Sequence, residues 1–224
     1  MEPTGTIVAL WVLFAATHMG LSSLRLRPRL VGAMGEAAFA GLYSVVALAI
    51  FVPLVWVYIE HRHEGPLLWA LSIGPVLRWV AYVVMGAAMV LIVGGLVEPS
   101  PAMMGSGSSE VRGIHRITRH PLFMGTGLLG LAHLPFMGFA TDVAFFAGLP
   151  IYGVIGCAHQ DRRKLATMGE DYRAWHAATP FLPFTGRETL RGLRELRPLS
   201  LLLGVALAVG LRLLHGPLFW GTAG

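Results

Sequence analysis

Six runs of mostly apolar residues constrain this chain more than any other feature. They cover about 6–24, 35–59, 76–97, 121–137, 141–158 and 199–215. Each is near the ~20 residues a helix needs to cross the hydrocarbon core of a bilayer. In lipid the backbone polar groups must be satisfied within the segment, so runs of this length predict helices. The expected fold is all-α: an integral membrane helical bundle of about six transmembrane helices. With 55% hydrophobic and 13% charged residues, against about 25% charged in soluble domains, the composition leaves no room for a soluble domain of ordinary size. We therefore expect a single transmembrane domain over 1–224, with a cytoplasmic surface segment at 159–197 and a last helix at 199–215.

The net charge of +5 does not point to nucleic acid, because the basic residues fall in loops beside apolar runs. Arg25, Arg27 and Arg29 follow the first run. Arg112, Arg116 and Arg119 precede the fourth, and Arg162, Arg163, Lys164, Arg173, Arg187, Arg191, Arg194 and Arg197 precede the sixth. The positive-inside rule puts these loops in the cytoplasm and both termini outside, in a membrane of the bacterial inner type. The start Met1-Glu2-Pro3-Thr4 lacks a basic n-region, so the first run is expected to stay as a helix. Membrane lipid is the first expected partner, and an apolar small molecule suits the same setting.

Against this background two ionisable residues inside apolar runs stand out: His18 in the first and His133 in the fourth. Such groups are costly at membrane depth and normally face a partner in the bundle. One reading is a histidine hydrogen-bonded to a neighbouring helix. The other is a pair of imidazoles clamping one haem iron from opposite faces, with Gly125, Gly127, Gly130 and Ala132 leaving space. At ~1.5 Å per residue His133 lies nearly 20 Å along its helix from His120, whereas His18 is near the cytoplasmic face. His120 is therefore an alternative partner for His18.

The run Arg119-His120-Pro121 has the form of a helix start, since proline suits the first helical position. With Arg116, it forms a candidate anion site for a phosphate, carboxylate or haem propionate. Glu60-His61-Arg62-His63-Glu64 contains zinc-ligand types, but its spacing favours an interfacial polar cap. Cys157, the single cysteine, reads as a small hydrophobe. Asp161 to Trp175 reads as an amphipathic surface helix, and Gly105-Ser106-Gly107-Ser108-Ser109 as a flexible turn. Small residues recur at packing distance: Ala16 with Gly20, Ala37 with Gly41, Gly204 with Ala208, Ala206 with Gly210.

Several of these pieces together resemble the NnrU family, which includes the plant zeta-carotene isomerases. They are His18-Met19-Gly20-Leu21-Ser22-Ser23-Leu24-Arg25, Gly35-Glu36-Ala37, His61-Arg62-His63-Glu64-Gly65, the run Gly113 to Pro121, Leu131-Ala132-His133 and Gln160 to Leu165. The resemblance covers about residues 10–186 and leaves out the last helix. It implies haem b held by two axial histidines, which match His18 and His133 here, and with it an isomerase of redox type or a factor associated with denitrification. A cysteine of the isomerases, one turn before the second histidine, is replaced by Gly130. Arg119 to Tyr172 also resembles membrane methyltransferases acting on isoprenylcysteine and phospholipid headgroups, with Asp161-Arg162 where those have paired carboxylates. A non-enzymatic accessory protein for respiratory complex assembly is the third reading.

Overall fold

The computed structural model describes residues 2–101 and 110–219. The chain forms ten α-helices in this range: α1 Pro3–Leu21, α2 Leu26–Met34, α3 Glu36–Glu60, α4 Pro75–Val97, α5 Ile114–Ile117, α6 Pro121–His133, α7 Ala140–Thr167, α8 Gly169–Ala178, α9 Thr189–Arg194 and α10 Pro198–Phe219. No β-strand occurs among the described residues, only one isolated bridge between Leu67 and Phe139. Five of the described helices (α1, α3, α4, α7 and α10) are long and apolar enough to cross a membrane. The protein is an all-α membrane helical bundle. The Gly105–Ser109 turn lies outside the described residues.

The sequence explains the helix ends. Pro75, Pro121 and Pro198 occupy first helical positions, where the missing N–H has no partner to lose. Gly35, at φ 83°, separates α2 from α3, and Gly169, at φ 76°, opens α8 directly after Met168. Two expectations need correction. The fourth span is short: α6 passes into a 3₁₀ turn at Leu134–Phe136, because Pro135 cannot continue the α-helical ladder. The surface helix expected from Asp161 is not a separate element up to Thr167. It continues α7, whose 28 residues reach about 42 Å and so carry the charged end beyond a ~30 Å hydrocarbon layer.

The chain divides into two compact units, residues 1–72 with 133–163, and residues 73–132 with 164–224. In the first, Ile7, Trp11, Phe14, Ile50 and Leu54 form the core. Helices α1 and α3 are antiparallel: the Phe14 ring meets Phe51, and the His18 ring meets Tyr43. Helices α1 and α7 are parallel. Trp11 lies where a side chain on Gly148 would be, and Ser22 Oγ is 3.2 Å from His159 Nε2. The loop after α3 is tied to the start of α7. Ala140 N–H donates to the Pro66 carbonyl at 3.0 Å, Leu68 N–H to Gly138 at 2.8 Å, and Glu64 N–H to Thr141 Oγ1 at 3.1 Å.

In the second unit α4 is the central element. Close approach of backbones dictates its glycine contacts: a Cβ on Gly125 would meet Ala88 O at 2.8 Å, and one on Gly204 would meet Val90 Cα at 2.6 Å. Polar contacts hold α10 as well. The buried Glu98 carboxylate accepts from Arg197 Nε and Ser200 Oγ, each at 3.1 Å. Leu91, Ile114 and Ile117 form a core cluster, and Tyr172 and Trp175 of α8 pack with Val111 and Leu165.

Candidate functional site

His18 lies half-buried where α1, α3 and α7 meet. Its ring is surrounded by Phe14 at 4.9 Å, Tyr43 at 4.3 Å and Tyr152 at 5.8 Å between centroids. Tyr43 also donates its hydroxyl to the His18 carbonyl at 3.4 Å. One turn further on, Ser22 Oγ donates to the same carbonyl at 2.7 Å and meets His159. The arrangement is an imidazole in an aromatic box, with a small polar cluster on its C-terminal side. Aromatic faces of this kind suit an apolar, π-rich molecule.

His133 belongs to the same unit but stands elsewhere. Its ring stacks on Phe146 at 4.4 Å, almost coplanar at 2°. Phe146 in turn meets Tyr58 and Phe145 edge-on. Because residue numbers on the parallel helices α1 and α7 differ by 137 at both the Trp11–Gly148 and Ser22–His159 contacts, Phe146 is level with Ala9. His18 is nine residues further along, about 13 Å at 1.5 Å per residue. Metal–imidazole bonds are about 2 Å long, so one iron requires two ring nitrogens within ~4 Å. Trp11 and Phe14 occupy the interval, their ring centroids 6.1 Å apart. In this arrangement His18 and His133 do not fit as the two axial ligands of a single haem b.

The anion site expected from Arg116, Arg119 and His120 lies in the second unit, and its cations are engaged. Arg116 donates from Nε to Glu195 at 2.8 Å and from Nη1 to Glu188 at 3.2 Å. The Gly113 N–H, together with Arg116, holds the Glu195 carboxyl down at about 2. Arg119 donates from Nη1 to the Thr179 carbonyl at 2.7 Å and lies over the Phe181 ring. His120 is buried with its ring edge-on to Phe181. These residues fasten the Thr179–Phe181 segment and α9 onto α5. His120 belongs to the second unit and His18 to the first.

A buried carboxylate in the first unit has no counterpart among the sequence candidates. Asp142, 0% exposed, accepts from the His63 backbone N–H at 3.2 Å and the His63 Nδ1 at 2.8 Å. His63 has φ 62°, an unusual conformation for a residue with a side chain. The one signal in the sequence is a lone acidic residue beside an apolar run. Its partner lies 79 positions away, which no local pattern reveals. Among the described residues no group of three or more His, Cys, Asp or Glu could hold a metal ion, so His61 and His63 do not form a zinc site of that size.

Comparison with known proteins adds the family. The family model described as NnrU protein matches residues 6–222. The chain belongs to the NnrU family. The match runs through α10, so the last helix is part of the family's extent, contrary to the shorter coverage read from motifs. Two curated relatives are named 15-cis-zeta-carotene isomerase, chloroplastic. The one from Arabidopsis thaliana is 30% identical over 99% of this chain and 62% of its own length. The one from Zea mays is 28% identical over 82% of this chain and 52% of its own length. This NnrU-family chain thus spans about half to three-fifths of the curated relatives it matches. No solved structure matches it.

Proposed function

We propose that this NnrU-family protein is a membrane-embedded isomerase of a long, apolar, conjugated hydrocarbon. The observation that carries the reading is the similarity, over 99% of the chain, to a protein named for isomerising 15-cis-zeta-carotene. The box around His18 is the site we assign to the substrate. Phe14, Tyr43 and Tyr152 offer ring faces to an extended π-system, and the apolar outer faces of α1 and α3 let such a molecule arrive through the lipid. Rotation about a double bond conserves every atom, so the pocket's task is to hold the two ends of the polyene. The expected haem b is not used in this reading, since His18 and His133 do not meet one iron in this arrangement. The test is to supply membranes containing the protein with 15-cis-zeta-carotene and separate the geometric isomers by chromatography. Conversion that disappears in His18→Ala supports the proposal. No conversion by the wild-type protein overturns it.

The same proposal includes an orientation. Since α1 is antiparallel to α3 and parallel to α7, the chain crosses the bilayer an even number of times between α3 and α7. Helix α4 is one crossing, so α6 with its 3₁₀ extension is the other despite its length. Six crossings put both termini on one side, and the basic loops assign that side to the exterior. Reporter fusions at both termini check this: opposite sides for the two would refute it.

A further inference from the structure

Helices α4 and α10 are antiparallel, and their register stays nearly constant through the contacts Glu98–Ser200, Val90–Gly204 and Tyr82–Arg212. Glu98, Ser200 and the half-exposed Arg197 mark the polar end of the pair. From Ser200 to Arg212 the rise along α10 is about 18 Å, at about 1.5 Å per residue. Arg212 therefore falls inside a ~30 Å hydrocarbon layer that begins at that end. Its neighbour Tyr82 lies about 10 Å in from the opposite end, the start of α4 at Pro75. An arginine at such depth is costly, and by default it marks a functional site.

Two contacts hold its head group at that level. Arg212 Nε donates to the Tyr82 hydroxyl at 3.1 Å, and the guanidinium carbon stands 5.4 Å from the centre of the Tyr82 ring. Trp79 in turn meets Tyr82 edge-on at 5.7 Å. So tied, the side chain does not stretch to the interface as long basic side chains otherwise do. No carboxylate neutralises it. Every Asp and Glu of the second unit falls within 98–110 or 170–195, in the segments that follow α4 and precede α10. Among the described residues Arg212 has no ion pair, and its Nη1 and Nη2 bond no acceptor. Both Arg212 and Arg78, one turn before Tyr82 on α4, are exposed.

The open edge of the guanidinium specifies the ligand. With Nε on Tyr82, the Nη1 and Nη2 donors leave a planar fork that matches two oxygens of one phosphate. The phosphates at a bilayer's edge belong to lipids, and the surface below Arg212 suits their acyl chains. Val209 and Val205, one and two turns before Arg212 on the same face, are 52% and 45% exposed. Arg78 adds positive charge nearer the edge without having to touch the same oxygens. We propose that Arg212, fixed by Tyr82, holds the phosphate of one phospholipid against α4 and α10, in the leaflet away from Glu98. The proposal does not depend on the isomerase reading.

The experiment uses the full chain purified in maltoside detergent, with bound lipids counted by native mass spectrometry. The wild-type protein should keep one phospholipid through detergent washing. Arg212→Gln should lose it, whereas Arg191→Gln, which changes an exposed arginine paired with Glu188 and Glu195, should keep it. After delipidation, phosphatidylglycerol is titrated back. Its affinity for that site should fall about 10–100-fold in Arg212→Gln, the effect of losing a hydrogen bond to a charged group. Tyr82→Phe, which releases Nε, should weaken it in the same direction. Diacylglycerol with the same chains and no phosphate should not fill the site, and inorganic phosphate should not displace the lipid. If Arg212→Gln does not insert, Arg212→Lys keeps the charge without the fork and should show a smaller loss. Equal retention of phosphatidylglycerol by the wild-type protein and the Arg212 variant overturns the proposal. Diacylglycerol bound as tightly as phosphatidylglycerol overturns it too, leaving only chain contacts. Displacement by inorganic phosphate at the lipid's own affinity overturns the lipid as the source.

Discussion

Replacing Gly204 by alanine should loosen α10 from α4, whereas the same change six residues on should not. A Cβ on Gly204 would lie 2.6 Å from Val90 Cα and 2.9 Å from Val90 N. Carbons pack at ~3.5 Å, so the helices must part by up to about 0.9 Å, and the obstacle is backbone rather than a flexible side-chain tip. A gap of this size forfeits a quarter to a half of each dispersion contact it opens. Overpacking of this kind costs about 1–3 kcal/mol. Alanine also gains about 1 kcal/mol over glycine in a helix. Gly210 sits on the same helix, and a Cβ there would meet nothing within 4 Å among the described residues, so Gly210→Ala carries the propensity gain alone. The difference between the two variants isolates packing, and it should be about 1–3 kcal/mol against Gly204→Ala. Unfolding in mixed detergent–dodecyl sulfate micelles, followed by circular dichroism, measures both at the same slope. Equal stabilities within about 0.5 kcal/mol would refute the close-approach account of this interface.

Three further outcomes follow from particular contacts. His115 is depressed to about 4 from an unfolded value near 6.5, so the unfolded chain binds the extra proton. Stability is full above about pH 6.5 and falls by about 3 kcal/mol toward pH 4, and a stability–pH profile of His115→Phe that keeps the same acid limb would contradict this. Asp142→Ala strips two donors of His63 of their acceptor, at about 1–3 kcal/mol each. Hydrogen exchange in residues 61–72 should accelerate, and unchanged protection there would show that the backbone bonds alone hold the loop. Glu98→Ala leaves Arg197 and Ser200 without their shared acceptor. Protease cutting between α9 and α10 should increase, and an unaltered digestion pattern would argue against the latch.

Sequence alone determined the class of fold and most limits of the five long helices. Apolar length and prolines at first helical positions are local properties, and in lipid the backbone has no alternative to the helix. It also singled out His18 as a costly polar group at depth, and Arg116, Arg119 and His120 as a cluster around a helix start. Only the tertiary structure decided what each of these faces. Side chains on different helices meet according to the register between those helices, and a pattern of small residues does not fix that register. Gly204 is pressed against a backbone while Gly210, of the same type and on the same helix, has open space around it among the described residues. His18 and His133 are alike in sequence setting, yet the parallel register of α1 and α7 separates them by about 13 Å. The Asp142–His63 pair joins residues 79 apart, and Arg212 and Tyr82, 130 apart, become neighbours only through packing. Registers of this kind depend on steric fit summed over whole helix faces, which is why the elements could be read from the chain and their pairings could not.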